Sequence, residues 1–201
     1  MKRPARPALE IYPLTPERWS DFTQLFGERG ACAGCWCMWW RLPRAQWVKQ
    51  KGAANKEGFR AVVQAGTPPG LLAYADGEAA GWCALAPRTD YPRLANSRVL
   101  KPLDTKPVWS ISCFFVARRF RRRGISLALL RAAAAYARTQ GAALIEGYPY
   151  EPKSGWPDVF YYTGQASTFR KAGFREVARR SPTRPIMRRA LRTPPRVGNS
   201  R

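Results

Sequence analysis

The sequence predicts an α+β fold: one twisted sheet of about seven strands with about four helices packed against it. Three observations carry this. Seven runs rich in β-branched, aromatic and small apolar residues are spread along 201 residues and alternate with stretches of helical periodicity. Asp76-Gly77 falls between two such runs, a strong short-range signal for a hairpin and hence for antiparallel neighbours. Hydrophobic residues make up 45% of the chain, enough for one domain with its own core.

The elements follow in order. Leu9 to Leu14 reads as the first strand. Thr15-Pro16-Glu17 opens a helix, with a capping residue, Pro in the first turn and an acid against the dipole, and the helix stops near Gly27. Ala45 to Gln50 and Asn55 to Ala65 form a second, broken helical stretch. Leu71 to Ala75 and Ala79 to Leu85 are the hairpin strands. A loop from Pro87 to Pro107 follows, with a short element near Arg98 to Leu100. Val108 to Val116 is a strand and Ser126 to Gln140 a helix, with Leu130, Ala133, Ala134 and Ala137 at i, i+3, i+4, i+7 spacing. Ala143 to Tyr148 is a strand, Pro149 to Gly164 an irregular insertion around Trp156, Ala166 to Ala172 a helix, and Phe174 to Arg179 and Pro185 to Leu191 the last strands. Residues 1–8 and 192–201 are Pro- and Arg-rich and read as mobile tails flanking a single domain over 9–191.

Composition excludes several chemistries. The chain has no histidine, so Ser-His-Asp triads, Cys-His nucleophile pairs and His-containing zinc sites are ruled out. No Walker-type loop and no Gly-x-Gly-x-x-Gly occurs. No run approaches the roughly 18 apolar residues of a membrane span, and Met1-Lys2-Arg3-Pro4 lacks the apolar stretch of a secretion signal. Five cysteines, two of them inside strand-like segments, fit a reduced, cytoplasmic protein. The net charge of +22 attracts anions such as phosphate esters, nucleic acid, acidic proteins or membrane surfaces, and disfavours a polycationic ligand unless its cleft is locally acidic; the bland reading is a solvated basic surface.

The most informative junction is Arg121-Arg122-Arg123-Gly124-Ile125-Ser126, wedged between a strand and a helix. The first turn of a helix presents unpartnered N–H groups and a positive dipole end, and arginines add forked donors, so this arrangement suits a phosphate. Arg121-x-x-Gly124-x-Ser126 resembles the pyrophosphate-binding motif of the GNAT superfamily of acyl-CoA-dependent N-acyltransferases, usually Gln/Arg-x-x-Gly-x-Gly/Ala; Ser126 departs at the last position but is small. Phe114-Phe115-Val116 before the motif and Phe169-Arg170-Lys171-Ala172-Gly173-Phe174 after it resemble the superfamily's flanking segments.

The resemblance implies a GNAT-like mixed, mostly antiparallel sheet whose fourth and fifth strands splay. It also implies transfer of an acetyl group from acetyl-CoA, as cosubstrate, to an amine by direct attack on the thioester. Phe114, Phe115 and Val116 then offer backbone groups to pantetheine, and Arg121, Arg122, Arg123, Gly124, Ile125 and Ser126 hold the pyrophosphate. Many relatives place a Tyr, as proton donor to the thiolate, where this chain has Phe169. Tyr161 or Tyr162 just upstream is the substitute, Tyr162 being the candidate taken here; the other reading packs both rings against the sheet. Glu146, the only acid in its strand, is the candidate base, with Ser110 and Ser112 ordering a water; the competing reading pairs it with an arginine.

Cys32-x-x-Cys35-Trp36-Cys37-Met38-Trp39-Trp40-Arg41 resembles a segment found in a bacterial subgroup of the superfamily. Three thiols fall short of the four ligands of structural zinc, and no metal is expected. Trp36 and Trp40 are candidates for the wall of an amine pocket; the alternative is a buried cluster. The leading expectation is a cytoplasmic acyl-CoA N-acetyltransferase, monomer or homodimer, acting on a small-molecule or protein amine. The alternative is a basic nucleic-acid-binding protein on a catalytically impaired fold of the same type.

Overall fold

A computed structural model describes residues 9–152, 155 and 157–191; the two tails and Trp156 lie outside the described residues. Strands β1 (Leu9–Pro13), β2 (Gly70–Ala75), β3 (Glu78–Pro87), β4 (Trp109–Val116), β5 (Leu144–Gly147), β6 (Arg175–Arg179) and β7 (Pro185–Ala190) form one sheet in the order β1-β2-β3-β4-β5-β7-β6. Every pairing is antiparallel except β4 with β5. The α-helices are α1 (Trp19–Phe26), α2 (Arg44–Lys49), α3 (Ala53–Gln64), α4 (Pro92–Ala95), α5 (Ile125–Thr139) and α6 (Ala166–Lys171). The structure is the mixed, mostly antiparallel α+β sheet that the sequence predicts. Among the described residues no helix is long and apolar enough to cross a membrane.

The two differences are local. Within the loop after β3 the α-helical element is α4 at Pro92–Ala95, which begins six residues before Arg98, where the expected element starts. Pro92 fixes its own φ and lacks an N–H, which suits the first helical position there. The broken helical stretch resolves into α2 and α3, separated by a turn at Lys51-Gly52.

Both faces of the sheet are covered. One face carries α5, whose Ile125, Leu129, Leu130, Ala133, Ala134 and Ala137 are buried on a single stripe. Gly81 in β3 leaves room for this helix: a Cβ there would lie 2.7 Å from Ile125 Cγ2. The other face carries an aromatic cluster built from Phe22 and Phe26 of α1, Trp36, Phe59 of α3, Trp82 and Phe115. Trp82 is fully buried with its ring edge-on to Phe22 at 5.0 Å and to Phe59 at 6.0 Å. Such edge-to-face pairs add about 0.5–1.5 kcal/mol each beyond area burial. A third cluster, around Tyr91, Leu94, Leu100 and Tyr148, closes the end of the sheet next to the β4–β5 junction.

Two irregularities shape that junction. β4 carries a bulge opposite Ala84 and Leu85, so that Ala84 pairs with Cys113 and Leu85 with Ile111. The parallel pairing of β4 with β5 covers only Trp109–Ile111 against Ile145–Gly147. Beyond it the strands part. The Phe169 ring fills the space below the parting, and a Cβ on Gly147 would lie 2.2 Å from Phe169 Cε1. Phe169 is fully buried, edge-on to Phe114 at 6.1 Å and to Phe174 at 5.0 Å, so it has no freedom to retreat. Gly147→Ala is therefore expected to cost about 1–3 kcal/mol through overpacking, lowering Tm by roughly 2–4 °C per kcal/mol in a domain of this size; differential scanning calorimetry measures it.

Candidate active site

The opening between β4 and β5 has two ends. At the α5 end, a short turn at Arg118–Phe120 leads into Arg121 to Ser126. Arg122 (φ 64°) and Gly124 (φ 81°) both take the left-handed conformation. For Gly124 this costs nothing, and it caps α5 by accepting from the amides of Leu127 and Ala128 at 3.1 Å each. Among the described residues no backbone carbonyl takes the amides of residues 122–126. Arg121, Arg122, Arg123 and Gly124 are exposed and Ser126 half-buried, whereas Ile125 is buried as the anchor of the helix start. The result is a basic loop with free amides at the positive end of a 15-residue helix.

The motif strand presents its backbone unequally. Phe114 turns its N–H toward the opening, where it donates to the Tyr162 carbonyl at 2.5 Å. The Val116 carbonyl accepts from Arg121 Nε at 3.2 Å. Phe115 faces the other way, its carbonyl beside Gly81 of β3. Of the three expected backbone positions, two address the opening.

Glu146 sits at the closed end, fully buried. Its Oε1 accepts from Arg88 Nη1 at 2.6 Å and from the Tyr148 hydroxyl at 2.7 Å, and its Oε2 accepts from Arg188 Nε at 2.5 Å. Tyr148 has one proton and gives it to Glu146, so Ser110, 2.8 Å away, donates to the Tyr148 oxygen. Burial, reinforced by the Glu146 charge, holds the Tyr148 phenol well above its ordinary pKa. Arg88 also donates to the Leu100 carbonyl at 2.5 Å, and Arg188 grips Asp104 with two bonds of 2.6 and 3.2 Å. Ser110 thus bonds a tyrosine rather than a water, and Ser112 lies beside the Tyr91 hydroxyl. Burial pushes that hydroxyl up to about 12. A carboxylate with both oxygens taken and no exposure is arranged as an anchor, which is the arginine-paired reading of Glu146 rather than the proton-acceptor one.

Tyr162 is half-buried and packs against the cluster that contains Trp40, Tyr91 and Tyr148. Burial raises its pKa, against which the Arg184 charge works. It therefore keeps its proton at neutral pH. Tyr161 is also half-buried, edge-on to Tyr150 at 6.4 Å.

The Cys/Trp segment divides. Trp36 is 2% exposed and stacks on Phe26 at 5.8 Å, so the expectation that it walls an acceptor pocket is corrected: it belongs to the core. Its backbone φ of 45°, with Ala31, Ala33 and Cys37 also positive, bends the segment sharply, a strain that the packed aromatics hold in place. Trp40 instead lines a cavity of about 410 Å³ with Pro43, Arg44, Arg93, Asn96 and Ser97. A larger cleft of about 610 Å³ lies between α1, the β2–β3 turn and the Ala117–Arg119 turn that follows β4.

Of the five thiols, Cys37 and Cys83 are buried, Cys35 and Cys113 half-buried and Cys32 exposed. Cys37 accepts from the Trp82 indole N–H at 3.0 Å. Contact with Cys37 and burial together push Cys113 well above the ordinary thiol range, and burial pushes Cys35 up to about 11. Among the described residues no group of three or more Cys, Asp or Glu is disposed to hold a metal ion. Arg88, Tyr148, Arg93 and Tyr91 were not picked out by sequence reasoning. Only the register and the loop path bring them to the site, and no local motif marks them.

The comparisons agree with this geometry. The family model for Acetyltransferase (GNAT) family matches residues 33–148, and the chain belongs to that family. A search of curated proteins by sequence finds no match. Among solved structures, a GNAT-family acetyltransferase from Listeria monocytogenes is similar at 11% identity and TM-score 0.55, covering 91% of this chain and 95% of that one. The PaiA N-acetyltransferase of Thermoplasma acidophilum, solved with coenzyme A, is similar at 16% identity and TM-score 0.52, covering 91% and 99%. The aminoglycoside N-acetyltransferase AAC(6')-Iy, solved with CoA, is similar at 18% identity and TM-score 0.53, covering 89% and 95%. At these identities the likeness is one of fold.

Glu146→Gln separates the two roles of this carboxylate. As an anchor, its loss leaves two partly buried guanidiniums without their shared anion and costs about 3–5 kcal/mol, while the acid limb of the pH–kcat/KM profile keeps its position. Loss of that limb at wild-type Tm would restore the proton-acceptor role.

Proposed function

We propose that this chain transfers an acetyl group from acetyl-CoA to an amine. The observation that carries the reading is the paired presence of the basic, amide-lined start of α5 and the opening of β4 from β5 beside it. Arg121 to Ser126 hold the pyrophosphate through backbone amides and guanidiniums, with Ile125 fixing the helix start. Pantetheine lies along the opening, and the thioester oxygen takes over the Phe114 N–H from the Tyr162 carbonyl. A donor aimed at the carbonyl oxygen stabilises the negative charge that develops there on attack.

The remaining groups divide the proton work. Tyr162, protonated, gives its proton to the departing CoA thiolate as the C–S bond breaks. The proton shed by the attacking nitrogen passes through solvent water to the Tyr162 oxygen, so that amine and acetyl-CoA give amide and CoA thiol. Arg93, Arg44 and Arg184 are the charged groups around Tyr162 and the Trp40 cavity. Their positive field disfavours the ammonium form of the acceptor, so the amine is neutral when it attacks. Glu146 keeps Arg88, Arg188 and Tyr148 in place around this reaction space. The nucleic-acid reading of the net charge gains nothing from the family match.

Calorimetric titration with acetyl-CoA is expected to show saturable binding that persists at raised salt and is lost in the Arg123→Glu, Gly124→Glu double variant. No binding by the wild type at any salt would overturn the reading. Tyr162→Phe is expected to bind acetyl-CoA as the wild type does while kcat falls by roughly 10²-fold or more; an unchanged kcat would remove Tyr162 from the mechanism.

A further inference from the structure

We propose that the cavity beside the β4–β5 opening selects an amine that also carries a carboxylate, bound by Arg93 and Arg44 against the Trp40 wall. The inference rests on the acyl-transfer reading and adds the substrate class to it.

The cavity of about 410 Å³ is the right order of size for a small metabolite, not a polymer. Its lining contains two arginines, an indole, an amide and a hydroxyl, and no acid. Three other partly buried arginines nearby have a carboxylate, Arg41 with Asp90, Arg88 with Glu146, and Arg188 with Glu146 and Asp104, while Arg184 bonds the Tyr150 hydroxyl and the Tyr148 carbonyl. Among the described residues Arg44 and Arg93 have none. Arg44 is exposed, where water can serve it, but Arg93 is half-buried. A guanidinium placed there without an anion bears a desolvation cost that an anionic ligand would offset. Burial lowers the Arg93 pKa, and the Arg44 charge acts in the same direction.

Arg93 is also held in a fixed pose. Its backbone N–H donates to the Trp40 carbonyl at 3.3 Å and its Nη1 to the Trp39 carbonyl at 3.0 Å. The guanidinium lies over the Trp39 ring, 3.6 Å from its centroid. One nitrogen is spent on the backbone, leaving other N–H donors of the fork for a planar carboxylate. Tyr162 couples the cavity to the transfer point. Its ring packs against the cluster that contains Trp40 and Leu94, the neighbour of Arg93, and its carbonyl bonds the Phe114 amide. An acceptor with its carboxylate on Arg93 has its amine a short span from the thioester.

The test uses matched pairs: L-phenylalanine, L-leucine and L-glutamate against their α-carboxamides, with spermidine as a cationic control. Binding is measured by calorimetry to the full chain with CoA present, and turnover by release of the CoA thiol from acetyl-CoA. At least one acid is expected to bind about tenfold to a hundredfold tighter than its carboxamide, the range of one charge-assisted contact. The carboxamide is the less basic amine, so intrinsic reactivity works against the expected preference. Arg93→Ala and Arg44→Gln should each reduce the acid-to-amide ratio, and Arg93→Lys should restore part of it. Arg44→Gln lies on an exposed position and keeps the test valid if Arg93→Ala loosens the tryptophan wall. Equal or tighter binding of carboxamides or spermidine, no measurable binding of any acid, or a ratio unchanged in both arginine variants would overturn the proposal. Failure of the acyl-transfer reading looks different: acetyl-CoA itself does not bind, while the acid-over-amide preference is still readable without it.

Discussion

The carboxylate of Glu146 is the charge around which the rest of the site is arranged. It lies in a row that crosses three strands, Ser110 of β4, Glu146 of β5 and Arg188 of β7 being direct cross-strand neighbours. Arg88 enters the same row from the end of β3 and continues to the Leu100 carbonyl. Asp104 closes it on the other side through Arg188. One buried anion thus fixes the ends of three strands and the long loop between β3 and β4. Replacing such a network by apolar residues is often neutral for stability, so its value here is positional. It locks the sheet just before the point where β4 and β5 must separate.

The separation has its own causes. A bulge in β4 and the short parallel ladder end the pairing at Ile111 and Gly147, and Phe169 packs under Gly147 where a side chain would otherwise sit. The segment after β5 then crosses the gap and lends the Tyr162 carbonyl to Phe114. A backbone amide left open in such a gap would lack a partner, and buried N–H groups are almost always paired. The same group that Tyr162 satisfies is the one a thioester oxygen would need.

Charge is distributed with more order than a net of +22 suggests. Several acids are committed to arginines: Glu146, Asp104, Glu151 and Glu176 all hold guanidiniums. Two groups of arginines lie at the start of α5 and at the Trp40 cavity. A uniformly basic surface would argue only for loose association with polyanions. Arginines at a helix N-terminus, and Arg93 stacked on the Trp39 indole beside a cavity, suit anionic groups bound in specific geometry rather than loose association.

Local sequence determined most of the framework. The strand and helix spans, the Asp76-Gly77 hairpin and the strand–loop–helix of Arg121 to Ser126 were legible because each depends on side-chain periodicity or turn chemistry within a few residues. The family match rests on the same contiguous pattern. Tertiary structure decided what each candidate side chain does. Trp36 and Trp40, four residues apart and alike in composition, went to the core and to the cavity because positive φ at Trp36 and Cys37 turns the chain between them. Glu146 became an anchor because register set Arg188 beside it and the path of the 88–104 loop brought Arg88, neither visible in the strand's own sequence. Arg93 stands out only once folding shows which arginines found a carboxylate and which did not, since pairing between residues far apart in sequence is settled by distance in space.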